Sequence, residues 1–561
     1  MKKLPLIAAF AAVAGSAYAQ NPRASVQIDS SVSGAQAPAV VCDGDSSAVF
    51  FKDSTDNSIW VSASDGRGLA WGAPTRIDDD ALGANKFVYY YGFVATQGNM
   101  YAVWRDERNS TDDDLYFSAN TGAGWSANMM LDKGYPSGGN PVRNFAIAAE
   151  GNNIAVLISP DNGNEDLYLV TSTDGGNTFS AAMAVTSHNG SADVDTIDIA
   201  MDNGVAHIAW IDNFTGGDAA YYSAYDFAAA MFTSMDVAIS ANATGLGGDI
   251  DDPIQISADN GLVGVCFQNR IVSGANETYA NVMLGGAWNG DVLVGNFTAG
   301  VDDCDNNDIL VNGNNVIVAW EDNRTGSDEC YVASADTSAG GVVFGADMLA
   351  SVSGAGYPRL VGGGDYVACA TSSGSFPNTY EAAVSTDGGM TFGGAFTVSD
   401  TTGDVDYAEI GFNALYGNFI SAWLSDDSGV NNCYVGGFRN QTASAVGTFS
   451  AGNLVHFDVD GFGASEDGNL FGVVLSGSMG SYLLPYGDGR ELGLTQDAFM
   501  SYSLNNIPGT MSSTLAGGSG STIDVVMPNL APGTMIYFAA VGFDAAANLY
   551  SVTDINSVTT L

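Results

Sequence analysis

Basic charge is scarce in this 561-residue chain: 16 Lys and Arg stand against 63 Asp and Glu, for a net charge of −47. Nucleic acid as a partner is excluded on that ground, because phosphate binding needs clustered cations. Anionic membrane surfaces are excluded likewise. Histidine is nearly missing, with only His188, His207 and His456. A serine-type triad therefore has few bases to draw on. The six cysteines include no close C-x-x-C pair, which argues against a zinc site. No stretch after the N-terminus is long and apolar enough to be a membrane helix, so membrane insertion is not expected. No helical periodicity is sustained over any long stretch.

What is present is a repeat. A small-apolar-aromatic triplet recurs eight times: Ala48-Val49-Phe50, Ala102-Val103-Trp104, Ala155-Val156-Leu157, Ile208-Ala209-Trp210, Val265-Cys266-Phe267, Val318-Ala319-Trp320, Ala368-Cys369-Ala370 and Ser421-Ala422-Trp423. A fixed period of about fifty residues signals a propeller, solenoid or array. Each unit reads as four short strands joined by Gly, Asn and Asp turns, the pattern of a propeller blade. The last unit lacks its fourth strand, and Ala24–Ile28 reads as the missing one. The expectation is an all-β propeller of eight four-stranded blades, with seven as the alternative, over residues 20–440. Residues 441–561 carry no triplet. Their strand-like runs, such as Leu470–Leu475 and Met535–Val541, predict a small antiparallel β-sandwich-like domain. Residues 1–19 read as a secretory signal: Lys2 and Lys3, a short apolar stretch, then Ala17-Tyr18-Ala19. An exported protein, secreted or held at the cell surface, is expected.

The motif Ser172-Thr173-Asp174-Gly175-Gly176-Asn177-Thr178-Phe179 recurs as Ser385-Thr386-Asp387-Gly388-Gly389-Met390-Thr391-Phe392, and more weakly from Ser118 to Trp125. Here the chain resembles the Asp-box (bacterial neuraminidase repeat) family of sialidase-like β-propellers. The resemblance implies that the box is a structural element between the third and fourth strands of a blade, away from the active face. Its working residues are Ser172, Asp174, Gly176, Thr178 and Phe179, with Ser385, Asp387, Gly389, Thr391 and Phe392 in the second copy. Sialidases of that family use an arginine triad, a Tyr-Glu pair and an Asp acid. Their early Phe/Tyr-Arg-Ile-Pro motif does not stand in this sequence.

Strands alternate direction, so the turn between second and third strands shares a face with the link into the first strand. Both are charged. The first kind of turn offers Arg105, Asp106, Arg108, Asp212, Arg270, Asp322 and Arg324 for a polar ligand. The second offers Asp195, Asp251, Asp252, Asp303, Asp305 and Asp406, an oxygen-rich set suited to calcium. The alternative is Asp-rich turns and Asp–Arg ties within blades. Cys304 and Cys330 lie in one repeat and are expected to form a disulfide in an exported protein. The leading functional expectation is an exported, non-catalytic propeller that binds a glycan or other extracellular partner, with calcium as the expected ion. A sialidase-like exo-glycosidase with a diverged site, or a structural cell-surface or matrix protein, are the alternatives.

Overall fold

The computed structural model describes residues 22–30, 32, 34–44, 46–79, 91–108, 114–131, 141–161, 163, 166–240, 250–269, 276–295, 304–352, 354–373, 377–427, 429–480, 482, 492–544 and 549–561. The signal-like segment lies outside them. Eight antiparallel sheets form the repeat region. Blade 6 is representative, with strands Cys304–Asn312, Asn315–Asp322, Glu329–Asp336 and Met348–Leu349 in spatial order. The innermost strands of blades 1 to 8 are Ala35–Asp43, Tyr91–Thr96, Val142–Glu150, Val194–Asp202, Ile250–Asp259, Cys304–Asn312, Ala355–Gly363 and Val405–Asn413. Each packs against the innermost strand of the next blade, and the eighth packs against the first. The ring is closed with eight blades, which sets the seven-blade alternative aside.

Closure uses both ends of the repeat. Arg23–Gln27 pairs with Asn432–Arg439 and supplies the fourth strand of blade 8. Second strands are apolar throughout because both faces of a blade are covered by neighbours, so alternation gives way to continuous burial. Trp104, Trp210, Trp320 and Trp423 are wholly buried there.

The inner edge of every blade faces the central channel, where its backbone groups lack a strand partner. Side chains from the preceding blade meet them instead. Asp43, Thr96, Glu150, Asp202 and Asp259, at or next to the ends of their inner strands, accept from the N–H of Gly98 (2.6 Å), Gly151 (3.0 Å), Gly204 (2.6 Å), Gly261 (2.6 Å) and Gly313 (2.7 Å). Asn312 donates to the Gly364 carbonyl at 2.7 Å, and Asn413 closes the circle on the Gly44 carbonyl at 2.9 Å. Each tie joins one blade to the first turn of the next.

After Arg439 two further sheets share one core. Thr442–Gly447 and Leu454–Asp460 belong to the first, Leu470–Ser476 and Met535–Phe543 to the second. The helix Ala498–Leu504, capped by Asp497 on the Met500 N–H at 3.0 Å, lies against the second sheet. No helical pattern was anticipated there; a two-turn helix leaves too short a period to read. This domain docks on the propeller face that carries the first turns of blades 7 and 8. Asp365 accepts from the Ser465 N–H at 3.0 Å, Arg23 forms a two-pronged pair with Asp554 (2.8 and 2.7 Å), and buried Arg439 donates to the Val552 carbonyl at 2.5 Å.

The expected Cys304–Cys330 disulfide is corrected by the register of blade 6. Cys304 pairs with Asp322, and Cys330 pairs with Glu321, one residue along. Successive side chains in a strand point to opposite faces. Cys304 therefore packs toward blade 5 and Cys330 toward blade 7. Both are free thiols. The sulfur nearest to Cys330 is that of Cys369, 3.7 Å away in blade 7.

Candidate functional site

The Asp-box residues form closed turns. Asp174 accepts from the Ser172 hydroxyl (2.8 Å), the Thr178 N–H (2.9 Å) and the Thr178 hydroxyl (2.6 Å), and Ser172 accepts from the Gly176 N–H at 3.0 Å. The bonds from Thr178 above all hold the Asp174 carboxyl down at about 2. Ser385, Asp387, Gly389 and Thr391 repeat the pattern at 2.7, 2.8, 2.8 and 2.6 Å. Gly176 sits at φ +85°, and a Cβ there would meet Phe117 at 2.4 Å. Phe179 packs edge-on to Phe117 in blade 2, and Phe392 packs into the core between blades 6 and 7. The turns lie beside the first turns, with the Gly175 N–H on the Asn152 carbonyl at 3.0 Å. They occupy the face on which the C-terminal domain docks.

On the opposite face, the expected ligand-binding residues perform a different task. Trp104, Trp210 and Trp320 each donate from the indole to an aspartate two residues on: Asp106 (3.2 Å), Asp212 (2.8 Å) and Asp322 (3.1 Å). The Arg108 guanidinium forks onto Asp106, reaches Asp79 at 2.8 Å and lies 4.0 Å over the Tyr116 ring. Arg324 forks onto Asp322, reaches Asp347 at 2.6 Å and lies 4.2 Å over Tyr331. In blade 4 an imidazole takes the place of the guanidinium: His188 Nδ1 is 2.7 Å from Asp212, with its ring stacked on Phe214 at 3.8 Å. The indole bonds and the forks onto Asp106 and Asp322 are ties within a blade. Asp79 and His188 follow the fourth strands of blades 1 and 3, so they join the second-to-third-strand turns of blades 2 and 4 to the preceding blade, whereas Asp347 stands just before the fourth strand of blade 6 itself. Arg105 is buried and donates to the Val142 and Arg143 carbonyls of blade 3 at 2.7 and 2.5 Å. Arg270 and Asp303 lie outside the described residues, as do the side chains of Asp251 and Asp252. Asp195 faces Arg143 at 3.7 Å, and Asp305 sits across from Glu321 in blade 6 while Asp406 sits across from Leu424 in blade 8. Among the described residues no three or more His, Cys, Asp or Glu side chains gather as a metal-holding group.

A different feature of this face stands out. The inner strands carry a bulge just where they enter the ring, recurring between Gln36 and Ala39, Asp305 and Asp308, Gly356 and Arg359, and Asp406 and Glu409. In four consecutive blades the bulged residue has left-handed backbone: Asn306 (φ 45°), Tyr357 (56°), Tyr407 (43°) and Ala37 (43°). Asn tolerates this conformation; a tyrosine there is a true outlier. Yet Tyr357 and Tyr407 are 67% and 71% exposed, so no packing compensates for the strain. Glu321 braces the bulges, accepting from the Asn306 amide at 2.8 Å and the Tyr357 N–H at 3.3 Å. Burial raises its carboxyl pKa.

Two residues below each tyrosine lie Arg359 and Glu409, paired at 3.4 Å. Their counterparts, opposite the fifth residue of each second strand, are Ala39, Gly92, Ala146, Asp198, Gln255 and Asp308. One arc of the ring is small and apolar, the other polar and charged. Asp198 accepts from the Ile256 N–H at 2.9 Å and Asp308 from the Leu360 N–H at 2.7 Å, each on the next blade. Enclosure by the ring pushes their carboxyls up, to about 7 and about 6. The tyrosines were missed in the sequence because bulges shift register without a residue signature. Their recurrence one repeat apart, as Tyr357-Pro358-Arg359 and Tyr407-Ala408-Glu409, was the available signal.

No family model matches the chain, and no curated protein matches it. Among solved structures it is similar to an ulvan lyase of polysaccharide lyase family PL25 (9% identity, 75% of this chain and 94% of that one, TM-score 0.41). It is also similar to the N10 neuraminidase-like protein of A/little yellow-shouldered bat/Guatemala/060/2010 (9%, 62% and 92%, TM-score 0.34). A third is the α-L-arabinofuranosidase PaAbf62A of Podospora anserina (10%, 54% and 93%, TM-score 0.26). At this level of superposition they say nothing about a ligand for this chain.

Proposed function

We propose that this protein is an exported propeller that binds a glycan at the channel mouth of blades 6 to 8, without chemical turnover. The observation that carries the reading is the pair of exposed tyrosines, Tyr357 and Tyr407, held in left-handed backbone on the inner strands of adjacent blades. Strain kept at exposed positions is expected where a surface works rather than packs. Aromatic faces offer apolar, rigid platforms for the C–H faces of sugar rings. Arg359, Glu409 and Glu321 beside them supply donors and acceptors for hydroxyls. The mouth is on the face away from the C-terminal domain, so that domain is free to act in attachment.

The glycosidase alternative would need an activated tyrosine next to a carboxylate. Tyr380 is the nearest candidate, because its ionisation feels Glu409 and Arg359. Burial, the first cause, pushes that hydroxyl well up, and Glu409 adds to it. That works against a phenolate nucleophile. A glycan-array screen of the full chain, run with calcium and with chelator, tests the proposal. Saturable binding lost in a Tyr357→Asn/Tyr407→Asn variant supports it. No binding in either condition, or turnover of a fluorogenic sialoside, sinks it.

A further inference from the structure

We propose a second site, independent of the channel mouth, where blades 7 and 8 meet the C-terminal domain; it takes a neutral, hydroxyl-bearing molecule the size of one sugar ring. The ring of inter-blade ties is interrupted once among the described residues. Where other inner strands end in Asp, Glu, Asn or Thr near the next blade, blade 7 ends in Gly363, which has no side chain to reach across. The first turn of blade 8 is also longer, running through Ala414, Leu415, Tyr416 and Gly417, whereas the other blades turn in two residues. The gap is a partly open cavity of about 270 Å³, lined by Phe412, Leu415 and Tyr416 together with Gln441 and Ser551.

Gln441 points to a ligand. It is 2% exposed, it lines the cavity, and its Oε1 has no hydrogen-bond partner. A buried acceptor left unmet is rare and destabilising. The carboxylates nearby are already engaged: Asp365 by the Ser465 N–H and hydroxyl, Glu466 by the hydroxyls of Tyr366 (2.6 Å) and Ser551 (2.5 Å). The polar group left over is a neutral amide oxygen, which asks for a hydroxyl or amide donor rather than a cation. The net charge of −47 disfavours an anion. The apolar wall suits the C–H face of a ring, and the volume exceeds the ~150 Å³ at which an apolar protein cavity takes a benzene ring, so one ring fits. Domain junctions are common places for such pockets.

Saturation-transfer NMR and calorimetry on the full chain, with glucose, galactose, mannose and N-acetylglucosamine as probes, test this. The expected result is saturable binding of at least one sugar. Gln441→Leu should weaken it tenfold or more with no loss of melting temperature, since it removes the unmet acceptor. Ala414→Phe, at an exposed position on the cavity wall, should abolish it. Tyr357→Asn/Tyr407→Asn should leave it unchanged, which separates this site from the channel mouth. The proposal is overturned if none of the four sugars saturates, if binding survives both cavity variants, or if the tyrosine variant removes it.

Discussion

Replacing Tyr357 and Tyr407 together by Asn separates strain from packing at the channel mouth. Asn306 already occupies the same bulge position in blade 6, at φ 45°, so the substitution asks nothing new of the backbone. Left-handed backbone costs an L-residue ~1–2 kcal/mol, and Asn recovers part of that through local hydrogen bonding. With 67% and 71% of the tyrosines exposed, little burial is lost in exchange. The double variant should therefore be more stable, by about 1 kcal/mol, read as a rise of roughly 2 °C in melting temperature. Binding should move the other way. Two aromatic contacts at ~0.5–1.5 kcal/mol each sum to ~1–3 kcal/mol, which is about 5–150-fold in Kd. Scanning calorimetry on the unliganded protein and titration with the best array glycan measure both. Stability falling while affinity stays constant would show that the tyrosines serve the fold, and the reasoning from strain to function would be wrong.

Three other outcomes are expected. Asp174→Ala removes the acceptor of three turn bonds, so it should lower the propeller's melting temperature without touching glycan affinity. In the native protein the Asp174 carboxyl is depressed to about 2, so its contribution is complete above the ordinary range near 3.9 and disappears as pH falls toward 2; acid melts should show this limb weakened in the variant. Asp198 and Asp308 act with the opposite sign. Their folded pKa values, about 7 and about 6, lie above the unfolded value, so their contribution is full below about pH 4 and is lost as pH rises through 6 and 7. Urea midpoints should then be lower at pH 8 than at pH 5, and a midpoint that rises over that interval refutes the assignment. Thiol titration in denaturant should count six free thiols, and non-reducing peptide maps should contain no Cys304–Cys330 bridge.

The blade count and ring closure were legible because a blade is a local object. Its strands, turns and buried tryptophans recur at fixed spacing, and the unmatched strand at Arg23–Gln27 has one vacancy to fill. The Asp boxes were legible for the same reason: every bond in them joins residues within a few positions of one another. The site was not. Arg108 and Arg324 carry charge in exposed-looking turns, but whether a guanidinium reaches a ligand or an aspartate two residues away is decided by the Tyr116 and Tyr331 rings on the next strand. The cysteine pairing failed on a one-residue register difference between Asp322 and Glu321, which flips a side chain to the other face of a sheet. Both failures are cross-strand facts, and composition or spacing along one strand does not contain them.

The acidic composition takes on a different meaning in this light. Sixty-three carboxylates read from the sequence as a solvated surface or a cation trap. A closed propeller nevertheless creates a specific demand for acceptors. Its inner edges have no strand to pair with, and the first turns of blades 2 to 6 present N–H groups toward the preceding blade. Asp43, Glu150, Asp202 and Asp259 meet those of the next turn, while Asp198 and Asp308 meet inner-strand N–H groups across the channel's wall. Asp106, Asp212 and Asp322 meet indole donors inside their own blades. A carboxylate accepts several such bonds with short reach, though at Asp198 and Asp308 desolvation outweighs the bonds and raises the carboxyl pKa. Part of the negative charge is therefore spent on architecture, residue by residue, and the places where the pattern stops become informative. It stops at Gly363, where the repeat supplies no acceptor, and there the chain leaves a cavity and an unmet amide.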